Sequence, residues 1–256
     1  MFSQCIYDIV REQTIHSITA ALSDPRFETY RKVAKSKEQA LRFYLWNIEA
    51  AGAVAATTGM VEVQLRNSIN ARLQNWNRSE PLKEPGRARP YSTGWLKDPA
   101  PRLRQIISPP NKRPLWRKAE PALRDENGLA LKSDPSHDDL VAALPFGSWL
   151  FLLPQPSVTS DDNPRMRIWN EALRFAFNAK PGSHYETASH AVVYRWANTV
   201  RYARNRASHL EPLLNEQELL RFHRVSHRLM NAMNPAAASW LAGQQYIPLA
   251  IRKRPS

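Results

Sequence analysis

The sequence predicts an all-α fold, a helical bundle with a basic inserted region rich in proline and arginine. Apolar residues recur at helical spacing through most of the chain. No internal repeat and no alternation of strand and helix patterns is found. Apolar residues form 43% of the 256 residues, which is enough to bury a sizeable core. The chain is expected to fold as one continuous domain.

Residues 1–77 are predicted to supply the N-terminal helices of the bundle. Residues 2–22 are expected to be helical up to Asp24-Pro25, because proline and its predecessor disfavour a continuing helix. The stretch "KEQALRFYLWNIEAAG" predicts one helix, and after "TTG" a long helix is predicted from about residue 60 to residue 76. The apolar face expected for the first comprises Leu41, Tyr44, Leu45, Ile48 and Gly52. The face expected for the second comprises Val61, Leu65, Ile69, Leu73 and Trp76.

Residues 78–135 differ in composition from the rest of the chain. They are rich in proline, glycine and arginine, which predicts a basic, extended loop with short helical pieces around 100–107 and 115–125. Long loops inside compact domains are often functional, although a tolerated surface insertion has the same composition. Under the functional interpretation, basic and aromatic residues would contact RNA phosphates and unpaired bases. The candidates are Arg87, Arg89, Trp95 and Arg113.

Residues 136–256 are predicted to supply the C-terminal helices. The stretch "LVAALPFGSWLFLLP" (140–154) indicates a buried helix pair or a helix and a turn, since Pro145 interrupts it. A helix is expected over 186–208 with Val192, Trp196, Thr199 and Ala203 on one face, and another over 216–233. The tail "YIPLAIRKRPS" is expected to form a short strand or a basic arm.

The charge of the chain indicates a polyanionic partner. The formal net charge is +13, which favours nucleic acid first and an anionic membrane second. Cys5 is the only cysteine, so an intrachain disulfide and a cysteine-based zinc site are excluded, and a reducing cytoplasm fits. No secretory signal is recognised at the N-terminus, and the most apolar stretch is too short to span a bilayer. We expect a cytoplasmic protein with no cofactor and no metal.

The stretch "RYARNRASHLEPL" (201–213) groups Arg204, Asn205 and His209 at a predicted helix end before Pro212. Five residues along an ideal helix correspond to ~140° around the axis and ~7.5 Å along it, so the arginine and histidine do not share one stripe. The same spacing occurs by chance elsewhere, as in "REQTIH" (11–16), which lacks the asparagine after the arginine, the neighbouring arginines and the helix end before a proline. The alternative is that Arg204 only interacts with the helix dipole and His209 is incidental.

Several blocks of the sequence, taken in order, resemble the Abi-like (abortive infection) family of HEPN ribonucleases. "RNRASHLEPL" is similar to the family's Arg-Asn-x-x-x-His signature. The segments 26–47, 61–69, 144–153 and 168–177 are similar to its opening, Glu-x-x-Leu-Arg-Asn, Phe-Gly-x-Trp and Trp-Asn blocks. The chain departs from the family at Leu210, where many members carry a second histidine.

The resemblance implies a HEPN-like helical bundle and a homodimer in which two Arg-Asn-x-x-x-His motifs face each other. It also implies metal-independent cleavage of RNA in antiphage defence or as a toxin, held in check by a small regulatory RNA or a protein antitoxin. A non-catalytic protein on the same scaffold, associated with a small RNA, is the alternative function.

The chemistry of RNA cleavage fits the residue types in the motif. His209 can act as a general acid or base near neutral pH, and Arg204 can stabilise charge on the phosphate. Asn205 would orient the histidine or bind the scissile phosphate. RNA contacts are also expected from Arg201 and Arg206. Support of Arg204 from behind is expected from Glu62, Arg66 and Asn67, and the alternative is an ordinary ion pair of Glu62 with Arg66 on the helix surface. His223 and His227 predict a pair on one helix face rather than a metal site, because no third ligand is suitably spaced.

Overall fold

The computed structural model describes residues 12–22, 24–79, 89–124, 133–177 and 188–256, and every regular element in these ranges is a helix. The α-helices are α1 (Glu12–Ala21), α2 (Asp24–Arg31), α3 (Lys37–Ser79), α4 (Pro101–Ile107), α5 (His137–Ala143), α6 (Phe146–Leu152), α7 (Pro164–Glu171), α8 (His190–Ser208), α9 (Glu216–Met233), α10 (Pro235–Gln244) and α11 (Tyr246–Arg252). Short 3₁₀ turns occupy Leu115–Lys118, Glu120–Ala122 and Leu173–Ala176. The predicted all-α class is confirmed for this part of the chain. None of the described helices is both long and apolar enough to cross a membrane.

Helix α3 is the central element of the bundle. It runs unbroken for 43 residues, about 65 Å at the rise of an α-helix, so the prediction of two helices separated at "TTG" is wrong. The hydroxyls of Thr57 and Thr58 donate to the carbonyls of Ala53 and Val54, at 2.9 Å and 2.8 Å, and therefore do not compete with the helix. Helices α8, α9 and α11 make the most extensive contacts with α3.

Two hydrophobic clusters lie along α3, one on each half. The larger cluster covers the second half, where the predicted face from Val61 to Trp76 is buried as expected. The smaller cluster covers the first half, where the predicted face is only partly right. Leu41 is buried as expected, but Ile48 is 40% exposed, and Phe43 and Trp46 are buried instead. Aromatic side chains bury 150–250 Å² each, so they decide which side of a helix with several apolar faces turns inward. The residues buried on this half of α3 are Ala40, Leu41, Phe43, Trp46, Asn47, Ala50, Ala51, Val54, Thr57 and Thr58.

The region from residue 89 to residue 124 belongs to the core. Tyr91 and Trp95 are buried in the larger cluster, so the prediction of an extended basic loop is wrong for these residues. Asn77 of α3 holds the region in place, since its amide donates to the carbonyls of Ser92 and Asp98 at 2.7 Å and 2.9 Å. The Asn77 carbonyl oxygen accepts from the Ala100 N–H at 2.8 Å. The short helical pieces predicted here are confirmed by α4 and the two 3₁₀ turns that follow it.

The remaining elements follow the sequence patterns with two exceptions. The break before Pro25, the helix pair around Pro145 and the helix 216–233 are found as predicted, while residues 2–11 lie outside the described residues. The tail forms α11 instead of a strand or an arm, because Ile247 is buried and the Trp46 indole N–H donates to the Ala250 carbonyl at 2.8 Å. In α8 Ala203 is buried as predicted, whereas the other three predicted positions, Val192, Trp196 and Thr199, are each replaced in the buried face by the residue that follows. The buried face comprises Val193, Ala197, Val200, Ala203 and Ala207.

Candidate active site

The motif lies where α8 ends against α3. Helix α8 stops at Ser208, and His209 is its C-cap residue with φ −92° and ψ 5°. Leu210 then adopts the left-handed conformation at φ 48°. The Leu210 N–H donates to Ala207 at 3.0 Å and the Glu211 N–H donates to Arg206 at 2.9 Å, which is the hydrogen-bond pattern of a Schellman motif.

The residue at the left-handed position of this turn is unusual. Glycine occupies it in most Schellman motifs, and a leucine there costs roughly 1–2 kcal/mol. Leu210 packs against the smaller hydrophobic cluster, which helps to hold this conformation. Strained backbone that persists because its surroundings fix it is frequent at functional sites. The turn therefore presents His209 in a defined position.

Two residues from the N-terminal helices fix the turn. A terminal guanidinium nitrogen of Arg26 donates to the carbonyls of Leu210 and His209, at 2.8 Å and 3.3 Å. The amide of the fully buried Asn47 donates to the carbonyl of Glu211 at 3.3 Å, and its oxygen accepts from the Leu213 N–H at 2.6 Å. Our sequence analysis missed both roles, although Arg26 opens and Asn47 closes the first block that resembles the HEPN family.

The imidazole of His209 is exposed at this turn. In the described part of the chain no residue forms a hydrogen bond or an ion pair with it. Asn205 lies one helical turn earlier and is half-buried, and its carbonyl accepts from the His209 N–H at 3.0 Å. The histidine ring is thus accessible to a substrate while its backbone is tightly held.

Arg204 projects towards α3, where it meets one of the residues expected to support it. Its Nε lies 3.7 Å from a carboxylate oxygen of Glu62, whose side chain is only 18% exposed, while Arg204 itself stays 44% exposed. Burial raises the pKa of Glu62, and the charges of Arg204 and Arg66 partly oppose this rise. The ion pair holds one side of the guanidinium and leaves the group accessible.

The other two supporting residues do not reach the motif. A terminal nitrogen of Arg66 donates to the Ala142 carbonyl at 3.2 Å, which ties α3 to the end of α5. Asn67 is exposed on α3, and none of the hydrogen bonds found among the described residues joins it to Arg204 or His209. The guanidinium of Arg204 and the imidazole of His209 also make no hydrogen bond with each other in one copy of the chain. This agrees with their angular separation on a straight helix.

Arg206 was predicted to bind RNA, and the structure corrects this prediction. Its side chain is 14% exposed and bonds to Glu211 at 3.1 Å, to Glu218 and to the Pro212 carbonyl. A guanidinium with these partners has few donors left for a phosphate. Arg206 instead joins the end of α8 to the start of α9. Arg201 is half-exposed and donates to the Asn198 side chain at 3.1 Å.

The four residues of the inserted region that were predicted to contact RNA differ in their exposure and in their partners. Trp95 has no exposed surface and its indole N–H donates to Asn70 at 2.8 Å, so stacking on an RNA base is excluded in this structure. Arg113 is exposed but forms an ion pair with Glu120 at 2.5 Å. Arg89 is exposed, and Arg87 lies outside the described residues. Trp95 therefore does not support the RNA-binding surface predicted for this region, and the ion pair of Arg113 leaves that arginine less available for a phosphate.

The described residues contain no cluster of three or more histidine, cysteine, aspartate or glutamate side chains that could hold a metal. His223 and His227 form a ring pair with centroids 4.4 Å apart on α9. Comparison of the chain with protein-family models, with curated proteins and with solved structures finds no match. The resemblance to HEPN ribonucleases therefore depends on the sequence blocks and on the chemistry of the residues at the end of α8.

Proposed function

We propose that this chain is a metal-independent endoribonuclease of the HEPN type, acting in antiphage defence or as a toxin. The observation that carries the proposal is the presentation of an exposed imidazole, His209, on a turn fixed from two sides. An accessible arginine, Arg204, is held nearby by the half-buried carboxylate of Glu62. Helices that merely end at the surface need neither feature.

The proposed reaction uses the nucleophile that RNA itself carries. The 2′-hydroxyl oxygen attacks the adjacent phosphorus and the bond to the 5′-oxygen breaks, which leaves a 2′,3′-cyclic phosphate and a 5′-hydroxyl. One base accepts the 2′-hydroxyl proton and one acid donates a proton to the leaving oxygen, and imidazole suits both roles near neutral pH. Arg204 would stabilise the negative charge that builds up on the phosphate.

One copy of the chain supplies only one histidine at this turn, whereas the in-line reaction has a proton to move on each side of the phosphorus. We propose a homodimer in which the motifs of two copies face each other. A stripe of exposed residues on α3, interrupted by the half-buried Gly59, supports this arrangement, because it runs beside Glu62 and hence beside Arg204. The stripe comprises Ile48, Gly52, Ala55, Ala56 and Val63, of which Ile48 and Val63 are 40% and 43% exposed. Small side chains in such a stripe allow two helices to approach closely.

Val63→Asp tests this dimer. A carboxylate in the middle of an apolar interface is desolvated without a partner, so we expect the sedimentation coefficient of the variant to be that of a monomer and its cleavage of RNA to be lost. Asn75→Asp introduces the same charge at an exposed position of α3 outside the stripe and should leave the dimer intact. A wild-type protein that sediments as a monomer while cleaving RNA would contradict the composite site.

The activity is tested with purified protein and total RNA in the presence of EDTA, followed by mapping of the fragment ends. We expect fragments with 2′,3′-cyclic phosphate and 5′-hydroxyl ends. RNA methylated at the 2′-oxygen and DNA should both resist, since neither has a free 2′-hydroxyl. RNA that is bound but never cut would instead favour the alternative, a non-catalytic protein associated with a small RNA.

Glu62→Gln tests whether the carboxylate positions Arg204. The substitution keeps the shape but removes the charge, and a partly exposed ion pair is worth up to ~1 kcal/mol, so we expect kcat to fall about 5-fold with KM nearly unchanged. Burial raises the pKa of Glu62 above its ordinary value. As pH falls through that pKa the wild-type carboxyl becomes neutral too, so the difference between wild type and variant should shrink in acid.

A matched control for this experiment is Glu38→Gln on the same helix. Glu38 pairs with Arg42 at 2.7 Å on the exposed surface, about 36 Å along α3 from Glu62, and its loss should not change kcat. Equal losses in both variants would show that Glu62 contributes only general surface charge. A change in KM alone would assign Glu62 to substrate binding rather than to the positioning of Arg204.

A further inference from the structure

A cavity of about 330 Å³ lies between α8, α9 and α10, far from the motif. It is lined in part by Phe177, Trp196, Arg228, Asn231 and Ala242. Trp196 precedes His209 by 13 residues on α8, which corresponds to about 20 Å along the helix axis. Its volume falls within the range of pockets that bind small molecules.

The walls of the cavity are apolar and held in place. Phe177 is buried and stacks on Trp169 with ring centroids 5.6 Å apart and an interplanar angle of 21°. Trp196 is partly buried and packs against the larger hydrophobic cluster. Alanine side chains from α9 and α10 complete the walls, among them Ala232, Ala238 and Ala242. Flat, rigid and apolar walls of this kind suit a planar ring.

Most polar groups of the cavity come from the C-terminal half of α9, and Ser239 of α10 adds a hydroxyl that donates to the Pro235 carbonyl at 3.1 Å. Arg228 is exposed, and no described carboxylate lies within ion-pair distance of it. Asn231 is half-buried, and no described residue forms a hydrogen bond with its amide. Burial lowers the pKa of His227, so its ring is neutral at pH 7 and can both donate and accept.

The surroundings of the cavity are basic. Glu218 is the last acidic residue in the sequence, whereas Arg221, Arg224 and Arg228 follow it on α9. All three arginines are exposed, and α10 carries no charged residue. An anion approaching this end of the bundle therefore meets unneutralised guanidinium groups beside an apolar cavity.

We propose that this cavity binds one unstacked nucleobase of a single-stranded RNA, with the adjacent phosphate on Arg228 and an edge of the base on Asn231. This inference depends on the proposed function in one respect only, namely that the bound polymer is RNA. A nucleobase matches the cavity because it is planar, carries donors and acceptors at its edge and is attached to a phosphate. Stacking on an aromatic side chain is favourable for every base, which suits a site that holds RNA at a distance from the cut.

The experiment uses a short RNA that is methylated at every 2′-oxygen and contains one 2-aminopurine base. Such an RNA cannot be cleaved through 2′-hydroxyl attack, so binding is measured separately from the proposed nuclease activity. We expect 2-aminopurine fluorescence to be quenched on binding. Arg228→Ala and Asn231→Ala should each weaken binding about 5–10-fold, as expected for a lost hydrogen bond of ~1 kcal/mol or slightly more.

The matched control is Arg221→Ala, which removes an equal charge from the exposed surface of the same helix but does not line the cavity. It should weaken binding less than 2-fold at ~0.15 M salt, because long-range charge is screened there. Melting temperatures of all three variants should match the wild type, since none of these side chains is buried. Equal losses for Arg221→Ala and Arg228→Ala would overturn the proposal in favour of general attraction to the basic surface.

Competition separates a base site from an anion site. Mononucleotides should displace the RNA, whereas inorganic phosphate and benzoate should not do so at the same concentration. Displacement by phosphate would reduce the site to an anion site, and displacement by benzoate would reduce it to a site for aromatic carboxylates. If His209→Ala still binds this RNA, the result supports the base site, because binding then does not depend on RNA cleavage.

Discussion

His209→Ala is expected to lower the rate of RNA cleavage ~10²–10⁴-fold, the usual contribution of general acid–base catalysis, without changing the melting temperature. The imidazole is exposed and forms no hydrogen bond with a described residue, so its removal leaves no buried polar group behind. The backbone of the turn is fixed by Arg26 and Asn47, which the substitution does not touch. The rate is measured with a defined RNA, and affinity with its 2′-O-methylated form.

The control for this variant is His223→Gln. It also removes one imidazole, but from the ring pair on α9 that lies outside the motif. We expect cleavage at the wild-type rate for this variant and unchanged affinity for RNA in His209→Ala. Full activity of His209→Ala would exclude His209 as the acid or base, and a parallel loss of RNA affinity would assign it to binding.

Replacement of Arg204 distinguishes charge from geometry. Arg204→Ala should reduce kcat strongly, because its guanidinium is proposed to stabilise the charge that develops on phosphorus. Arg204→Lys keeps the charge but loses the planar fork, so partial activity is expected. If Arg204→Ala kept the wild-type kcat, Arg204 would have no part in catalysis and would only interact with the dipole of α8. The substitution would then lower the melting temperature slightly.

Helical spacing predicted one half of α3 better than the other for a physical reason. From Val61 to Trp76 every large apolar residue except the exposed Val63 lies on one side, so the spacing identifies the buried face. Between Leu41 and Ile48 apolar side chains occur on several sides, and spacing cannot choose among them. The choice is made by the elements that pack there, because Phe43 and Trp46 fill the space beside α2 and α11. In α8 Val192 and Trp196 are followed directly by the apolar residues Val193 and Ala197, so the spacing cannot choose between the two adjacent faces.

The inserted region is more buried than its composition predicts. Proline, glycine and arginine indicate a surface loop, and a tryptophan in such a loop suggests a platform for bases. Trp95 is instead the centre of a buried group, with Trp149 and His137 packed edge-on at 6.3 Å and 5.7 Å between ring centroids. Two asparagines in the sequence of α3 could have indicated this packing. Asn70 and Asn77 lie among the apolar residues of α3, and their side chains form hydrogen bonds with the inserted region.

The motif at the end of α8 was predictable from the sequence, whereas its support was not. Arg204 and His209 stand out by residue type and by their position before Pro212. The contacts that hold them come from residues more than 140 positions away in the chain. The left-handed turn was not predictable either, because a glycine at this position would indicate such a turn and Leu210 does not. The sequence suggested that Glu62 or Arg66 supports Arg204, beside the simpler alternative of a Glu62–Arg66 ion pair on the helix surface. Packing of α3 against α8 decides between them, because it brings Glu62 to Arg204.

Asn47→Ala is expected to destabilise the protein by ~2–3 kcal/mol, because it leaves buried hydrogen-bonding groups without partners. Asn47 has no exposed surface, and its side chain bonds to the backbone of Leu210, Glu211 and Leu213. The Leu213 N–H would lose its acceptor in the same buried position. Urea denaturation measures the loss, and Asn75→Ala on the exposed surface of the same helix should change stability by less than ~0.5 kcal/mol.

The same substitution tests the link between the turn and catalysis. Well below its melting temperature, folded Asn47→Ala should still cleave RNA more slowly than wild type, because the segment after His209 has lost its anchor. Asn47→Asp refines the test, since a carboxylate keeps the acceptor for Leu213 but directs negative charge at the carbonyls of Leu210 and Glu211. We therefore expect Asn47→Asp to be at least as unstable as Asn47→Ala at neutral pH and to recover some stability as its carboxyl is protonated in acid. If both variants kept wild-type stability and activity, the turn would not depend on Asn47, and His209 would be held by Arg26 and Arg206 alone.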